Sequence, residues 1–234
     1  MAPGSLQVTV DGAVAVLVID RPEVRNALDP PTLDALADAV AGGALVRAAV
    51  LTGAGPDCFS SGMDLRSLNE GGPEVGRSVR RFLAAMRSPS RPPIVAAVRG
   101  MAIAGGFELM LMCDLVVAAD DARFGLPEVT RGLVPGGGGT LLPARVPLAV
   151  ALEIGLLGEP IDAARAYALG LVNRLAPSDR VVADAHALAT RLAAQPPAIL
   201  ARVRELMWLT ALEGPAASQA AAYGAAAPGP AGPS

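Results

Sequence analysis

The chain has 234 residues, of which 52% are hydrophobic, and a net charge of −3 from 19 basic and 22 acidic side chains. Length and composition predict one large domain or two small ones with a sizeable core, and the charge balance excludes the basic surface typical of nucleic-acid binding. All 19 basic residues are arginine, which excludes a lysine Schiff base and a Walker A loop.

The only cysteines are Cys58 and Cys113, which favours a reduced, cytoplasmic protein without a disulfide framework. Residues 1–5 lack the charged and apolar segments of a signal peptide. The most apolar stretch, residues 94–119, contains three charged side chains, so we expect no membrane span.

The first half of the chain predicts strands that alternate with helices. Strands are predicted over residues 7–10, 14–19, 48–51, 94–98 and 115–118, and helices over 30–41, 75–86 and 105–113. Asp11-Gly12 predicts a hairpin turn, Asp29 an N-cap, and Gly42-Gly43 a helix end. This alternation is typical of βαβ units with a mixed or parallel sheet.

From Thr140 onward the pattern becomes helical. Helices are predicted over residues 149–155, 162–169, 181–194 and 198–212, and residues 225–234 are predicted to be disordered. Because no linker divides the chain, we expect one α/β domain with a helical C-terminal part.

Two glutamates stand in unusual surroundings. Glu108 interrupts the apolar run from Gly105 to Cys113, and Glu128 follows a Phe-Gly-Leu-Pro segment. A buried carboxylate is costly unless it is paired or protonated, so an active site is one explanation. An arginine ion pair would explain Glu108 equally well, and an acid in the first turn of a helix would explain Glu128.

Glycines next to these segments suggest free backbone donors. A helix that begins at Gly105-Gly106 leaves its first N–H groups without internal partners, and the turn at Ser61-Gly62-Met63 could present another. Two such donors that converge on one oxygen would form an oxyanion hole. Residues 136–139 could form a phosphate loop, but a flexible turn is favoured. His186 is predicted to lie on a helix surface, with no catalytic triad or metal cluster around it.

Several segments together resemble one family, the crotonase superfamily of enoyl-CoA hydratases and isomerases. They are residues 20–28 (DRPEVRNAL), 58–65 (CFSSGMDL), 104–109 (AGGFEL) with 113–114 (CD), 124–128 (FGLPE) with 132–136 (GLVPG), and 168–173 (ALGLVN). The resemblance spans roughly residues 6–212.

The resemblance implies a ββα spiral core over residues 1–140 that holds a coenzyme A thioester. Residues 141–224 would form a helical C-terminal part of the same domain that contributes to oligomerisation, followed by the disordered tail 225–234. It implies a homotrimer or a dimer of trimers, no nucleic-acid or membrane partner, and no metal or redox cofactor, since coenzyme A is part of the substrate.

The resemblance also implies roles for individual residues. The backbone N–H groups of Met63 and Gly105 would form the oxyanion hole, Glu108 would activate a water, and Glu128 would serve C2 of the acyl group. Substrate contacts are implied for Val24, Arg25, Ala27, Ser61, Met63, Asp64, Leu65, Arg66, Gly105 and Gly136. The expected activity is that of a 2-trans-enoyl-CoA hydratase in fatty-acid or related lipid metabolism. The alternatives are an enoyl-CoA isomerase or another crotonase activity, and a non-catalytic acyl-CoA binder.

Overall fold

A computed structural model describes residues 5–41, 46–70 and 72–223. The strands are, in chain order, β1 (Leu6–Asp11), β2 (Val14–Ile19), β3 (Ala48–Gly53), β4 (Cys58–Ser60), β5 (Ile94–Val98), β6 (Met101–Ile103), β7 (Leu115–Ala119), β8 (Arg123–Gly125), β9 (Ile161–Asp162) and β10 (Arg174–Ala176). The α-helices are α1 (Pro30–Ala41), α2 (Leu65–Glu70), α3 (Gly72–Arg87), α4 (Gly105–Met112), α5 (Leu148–Leu157), α6 (Ala163–Ala168), α7 (Val181–Ala193), α8 (Pro197–Glu213) and α9 (Pro215–Tyr223). Short 3-10 helices cover Pro22–Val24, Pro127–Arg131 and Gly139–Ala144.

The larger sheet has the strand order β1-β2-β3-β5-β7-β10. β1 and β2 form an antiparallel hairpin at Gly12, whose φ of 59° suits glycine, and the other neighbouring strands are parallel. Every residue of β3 and β5 is buried. Their apolar composition agrees with this burial, because parallel strands are covered on both faces. Helix α7 packs against β3, β5 and β7.

A smaller sheet, with the order β4-β6-β8-β9, carries the candidate site. β4, β6 and β8 are parallel, so their carboxyl ends lie at one edge. The turn at Gly62 follows β4, helix α4 follows β6, and the segment that holds Glu128 follows β8. This sheet therefore brings together three segments that are far apart in the sequence.

Helix α4 is buried from Gly106 to Met112. The ring of its Phe107 lies 6.0 Å from the ring of Phe124 on β8. A buried ion pair also fixes the end of α4: Arg91 Nη1 contacts Asp114 Oδ2 at 2.6 Å, and Arg91 Nη2 donates to Met112 O at 3.2 Å. The site helix is thus anchored at its far end by packing and charge.

The predicted α/β architecture is confirmed: the described residues form mixed α/β structure with a helical C-terminal region. The predicted hairpin, α1 and β5 are present, and the Thr32 N–H donates to the predicted N-cap Asp29 at 2.9 Å. The predicted helix end at Gly42-Gly43 and the predicted tail at 225–234 lie outside the described residues.

The sequence prediction missed the short elements. Strands β4, β6 and β8 have three residues each, β9 and β10 no more, and α2 has six residues. A run this short has no measurable periodicity, and tertiary pairing alone makes it a strand. β9 and β10 also place two strands inside the part of the chain that was predicted to be helical. No helix within the described ranges has the length and apolar character to span a membrane.

Candidate active site

Glu108 and Glu128 line one cavity of about 330 Å³. Each residue is only 8% exposed. The apolar wall of the cavity is formed by the side chains of Leu28, Leu33, Met63, Leu65, Leu68, Val79, Phe82, Leu83, Met112, Leu133 and Val134. Glu108 and Glu128 are therefore the two acidic residues of a cavity whose lining is otherwise mostly apolar.

Backbone N–H groups, and not an arginine, hold Glu108. Its Oε1 accepts hydrogen bonds from Gly137 N at 3.0 Å and from Gly139 N at 2.8 Å. No ion pair of Glu108 occurs among the residues described, so the alternative prediction of an arginine partner is wrong. These two N–H donors on one oxygen fix the orientation of the Glu108 side chain.

The glycine run at 137–139 follows the shape of Glu108 closely. A Cβ at Gly137 would lie 2.7 Å from Glu108 Oε2, and one at Gly138 would lie 2.6 Å from Glu108 O. At Gly139 it would lie 2.5 Å from Pro135 Cβ. The sequence favoured a flexible turn here, but the structure shows a close-fitting backbone cradle that only glycine permits.

The surroundings of Glu128 differ from those of Glu108. Its Oε2 is buried and has no hydrogen-bond partner in the described part of the chain. Burial raises the pKa of Glu128, its own N–H opposes this shift, the negative charge of Glu108 adds to it, and the positive charge of Arg131 opposes it. The net upward shift favours the protonated acid.

Two backbone N–H groups lie next to each other between the turn after β4 and the start of α4. A Cβ built on Gly105 would lie 3.2 Å from Met63 N, and one built on Gly62 would lie 2.6 Å from Gly105 N. Neither N–H donates a hydrogen bond to another described residue. Both Met63 and Gly105 line the cavity, so their amides are available to an oxygen atom inside it.

The backbone at Ala104 is strained where α4 begins. Ala104 has φ 51° and ψ −128°, an arrangement that L-residues rarely adopt. Hydrogen bonds on both sides hold it, from Ala104 N to Gly125 O at 2.9 Å and from Glu108 N to Ala104 O at 2.9 Å. Such strain persists only where the surroundings fix it, and here it orients the first amide of the helix.

The structure brings only some of the predicted substrate contacts to the cavity. Those that line it are Ser61, Met63, Leu65, Gly105 and Gly136. Those that do not are Val24, Arg25, Ala27, Asp64 and Arg66.

Three of the predicted contacts outside the cavity belong to the segment 24–27. Ser61 Oγ lies 3.5 Å from Val24 O, Arg25 lines a separate recess of about 300 Å³ beside Cys58, and Ala27 is buried. Their predicted contact with the nucleotide part of coenzyme A stays a prediction.

Asp64 organises the wall of the cavity through hydrogen bonds. Its Oδ1 caps α2 by accepting from Arg66 N at 3.0 Å and Ser67 N at 3.3 Å, and Arg21 Nη2 lies 3.3 Å from its Oδ2. Burial opposes ionisation, but the Ser67 N–H, the Arg21 guanidinium and the Arg66 N–H outweigh it and hold the pKa of Asp64 below its ordinary value. We therefore interpret Asp64 as a structural carboxylate.

Sequence reasoning missed the partners of the two acids. The N–H groups of Gly137 and Gly139 carried no side-chain signal, although a run of four glycines in a short loop indicates close backbone approach. Arg131, three residues after Glu128, also lines the cavity. Its position on the same 3-10 helix as Glu128 was the only available signal.

Neither cysteine offers a competing thiolate nucleophile. Burial raises the pKa of Cys58 to about 11 and that of Cys113 to about 12, so both thiols are protonated at neutral pH. His186 lies on α7, where its Nε2 is 3.3 Å from Asp11 Oδ2, and it does not line the cavity. Across the described residues, no group of three or more metal-ligating side chains is close enough to hold an ion.

Comparison with known proteins gives consistent relatives. The family model described as enoyl-CoA hydratase/isomerase matches residues 9–223. The carnitinyl-CoA dehydratase of Proteus mirabilis (strain HI4320) is 33% identical over 208 residues, which cover 86% of this chain and 79% of that protein. A probable enoyl-CoA hydratase of Rhizobium meliloti (strain 1021) is 35% identical over 224 residues, which cover 92% of this chain and 86% of that protein.

The fold is also similar to solved structures. The crystal structure of an enoyl-CoA hydratase from Mycobacterium tuberculosis H37Rv superposes with a TM-score of 0.81 at 37% identity, and the match covers 94% of this chain and 87% of that chain.

Proposed function

Because the chain belongs to the enoyl-CoA hydratase/isomerase family, we propose that it adds water across the 2,3 double bond of 2-trans-enoyl-CoA thioesters. One observation carries the proposal. Met63 and Gly105, whose backbone N–H groups have no partner among the described residues, and the two acids Glu108 and Glu128 line the same cavity.

The paired amides suit a thioester oxygen. When water adds at C3, negative charge moves through C2 onto that oxygen, and the Met63 and Gly105 N–H groups stabilise it. One such donor is typically worth about 3–4 kcal/mol in the transition state. Because both donors are already oriented by the fold, little reorganisation is needed during the reaction.

The two carboxyl groups suit opposite roles in proton transfer. Glu108 accepts two N–H bonds on Oε1, which orient its carboxyl group, and we assign it as the base that takes a proton from water through Oε2. Glu128 has a raised pKa and an oxygen without a partner among the described residues, and we assign it as the acid that gives its proton to C2. The hydroxyl group at C3 comes from water and the proton at C2 comes from Glu128. The water proton that Glu108 has taken up later passes to Glu128, which restores the starting state.

Dehydration of a 3-hydroxyacyl-CoA is the same reaction in reverse and needs the same groups. Either direction can therefore be measured. We expect the chain to need neither a metal nor a redox cofactor, since the amides and carboxyl groups account for every charge and proton in this step.

The test is turnover of crotonyl-CoA, followed as loss of the absorbance of the conjugated thioester. We expect turnover by the native protein and a loss of at least about a hundredfold in Glu108→Gln and in Glu128→Gln. The matched control is Glu153→Gln, at an exposed acid of α5 outside the cavity, which should keep full activity.

The same assay separates the alternatives. Turnover of only a 3-enoyl-CoA would favour an isomerase, and binding of coenzyme A thioesters without turnover would favour a non-catalytic binder. Native-level hydration by both glutamine variants would reject the mechanism.

We also propose that the protein assembles as a homotrimer or a dimer of trimers. The support is apolar surface: Leu148, Leu152 and Leu156 recur every fourth residue on α5 and are exposed, and α8 has no buried residue. Light scattering after size-exclusion chromatography tests this assembly, and Leu152→Glu should reduce the mass toward that of one chain.

A further inference from the structure

Arg131 is the one cationic side chain that lines the cavity among the described residues. It is exposed at the end of the 3-10 helix that begins with Pro127 and Glu128. It forms neither an ion pair nor a side-chain hydrogen bond with another residue of the described ranges, whereas Arg21 and Arg91 are both paired. A guanidinium group that faces a ligand cavity without a protein partner is available to an anion of the ligand.

None of the other described residues that line the cavity is cationic. Apart from Glu108 and Glu128, which carry out proton transfer in the proposed function, the lining is aliphatic, aromatic, glycine, proline, alanine and Ser61. An acyl group with a cationic end beside Arg131 would be repelled by its guanidinium group. An acyl group with a negative end would find a planar donor with which it can form two hydrogen bonds.

Two parts of a coenzyme A thioester carry suitable anions, namely the nucleotide phosphates and an acidic acyl group. The position of Arg131 favours the acyl group. It lies three residues from Glu128 on the same short helix, and the proposed function places Glu128 beside C2 of the acyl group. The long pantetheine arm separates the phosphates from those carbons.

We propose that Arg131 selects enoyl-CoA thioesters whose acyl chain ends in a carboxylate, and that it disfavours acyl chains with a cationic end. This inference rests on the proposed hydratase function, because it names the substrate class of the same site. Arg131 would be a specificity-determining residue that binds the far end of the acyl group and takes no part in proton transfer.

The experiment compares three substrates: crotonyl-CoA, trans-2-pentenedioyl-CoA with a terminal carboxylate, and 4-trimethylammonio-crotonyl-CoA with a terminal cation. Hydrogen bonds to charged groups contribute about 1.5–3 kcal/mol, so we expect the native protein to favour the carboxylate over crotonyl-CoA by about tenfold to a hundredfold in kcat/KM. Arg131→Gln should remove most of this preference, and Arg131→Glu should reverse it in favour of the cation.

The ratio between substrates is the decisive quantity, because changes in chemistry common to all substrates cancel in it. Arg123→Gln, at an exposed arginine of β8 outside the cavity, should keep the native ratio. An unchanged ratio in Arg131→Gln overturns the proposal. So does an equal rise of KM for all three substrates, which would assign Arg131 to the phosphates of coenzyme A.

Binding measurements separate this inference from the proposed function. Calorimetry gives the dissociation constants of the saturated analogues pentanedioyl-CoA and butyryl-CoA. A preference for pentanedioyl-CoA that is lost in Arg131→Gln supports the role of Arg131 even where crotonyl-CoA is not hydrated. Equal affinities for both analogues in the native protein overturn it, whatever the result of the hydration assay.

Discussion

Gly139 N donates a hydrogen bond of 2.8 Å to Glu108 Oε1, and a Cβ built on Gly139 would lie 3.0 Å from that same oxygen. The loop glycine and the helix glutamate therefore determine each other. The amide fixes the carboxylate, and the carboxylate leaves no space for a side chain on the loop.

This contact predicts the effect of Gly139→Ala. The new methyl group would also meet Pro135 Cβ at 2.5 Å, so the loop must move and Glu108 must lose its orientation. We expect kcat for crotonyl-CoA to fall at least about tenfold. Gly155→Ala on α5 is the matched control, because nothing lies within 4 Å of its Cβ position. It should keep kcat and raise stability by about 0.5–1 kcal/mol. Equal kcat in both variants would contradict the claim that the glycine loop orients Glu108.

Two substitutions of Glu108 should differ in stability although both are inactive. Glu108→Gln keeps an oxygen that can accept from Gly137 N and Gly139 N. Glu108→Ala leaves both donors without a partner, which costs about 1–3 kcal/mol for each that stays buried. Urea unfolding followed by circular dichroism measures the difference, and equal stability of the two variants would show that water replaces the lost acceptor.

The raised pKa of Glu128 predicts that the native protein and Glu128→Gln differ in stability by an amount that depends on pH. Its pKa is raised by burial and by the charge of Glu108, so the folded state favours the protonated form. Below the unfolded-state pKa, both states are protonated and there is no penalty. As pH rises through that value toward the raised folded-state pKa, the penalty of ionisation grows, and it is complete above the folded-state pKa.

We therefore expect Glu128→Gln to melt at a higher temperature than the native protein at pH 8. The gap should close as the pH falls below about 4, near the ordinary pKa of a glutamate. Thermal melts over this pH range measure the difference in melting temperature. A difference that grows as the pH falls would contradict the prediction. In the native protein, kcat should fall at high pH as the acid form of Glu128 is lost.

Gly62→Ala should disrupt the oxyanion hole. Gly62 has φ 92°, and a Cβ there would lie 2.6 Å from Gly105 N, so the substitution both strains the backbone and displaces one donor. Loss of such a donor costs about 10²–10³-fold in kcat. Gly170→Ala separates the two effects, because Gly170 has φ 78° but nothing within 4 Å. It should lower stability without lowering kcat, and a similar loss of kcat would attribute the effect to strain alone.

Asp114→Asn should destabilise the fold without changing the chemistry of folded molecules. Asp114 offsets the charge of Arg91, whose side chain is 3% exposed, and also accepts from Ile94 N at 2.7 Å. Removing one partner of a buried pair typically costs about 3–5 kcal/mol. Glu153→Gln breaks the exposed pair with Arg165 and should cost far less. Denaturant titrations of both variants test this order.

The long elements were predictable because their information is local. The hairpin of β1 and β2, helix α1 and the central strand β5 each repeat an apolar pattern over five or more residues, and Asp29 and Gly12 mark their boundaries. Glu108 and Glu128 could also be singled out from the sequence, because a charge within an apolar segment requires an explanation.

The sequence by itself determined the long strands and helices, the family, and the two glutamates that were candidate site residues. Only the tertiary structure decided that β4, β6 and β8 end at one edge, that the glycine loop encloses Glu108 and that Arg131 faces the same cavity. The physical reason is that no pattern along the chain reports three-residue strands, the positions of backbone amides or the cavity that a single arginine lines. They are fixed by pairing and close packing between residues that lie far apart in the sequence.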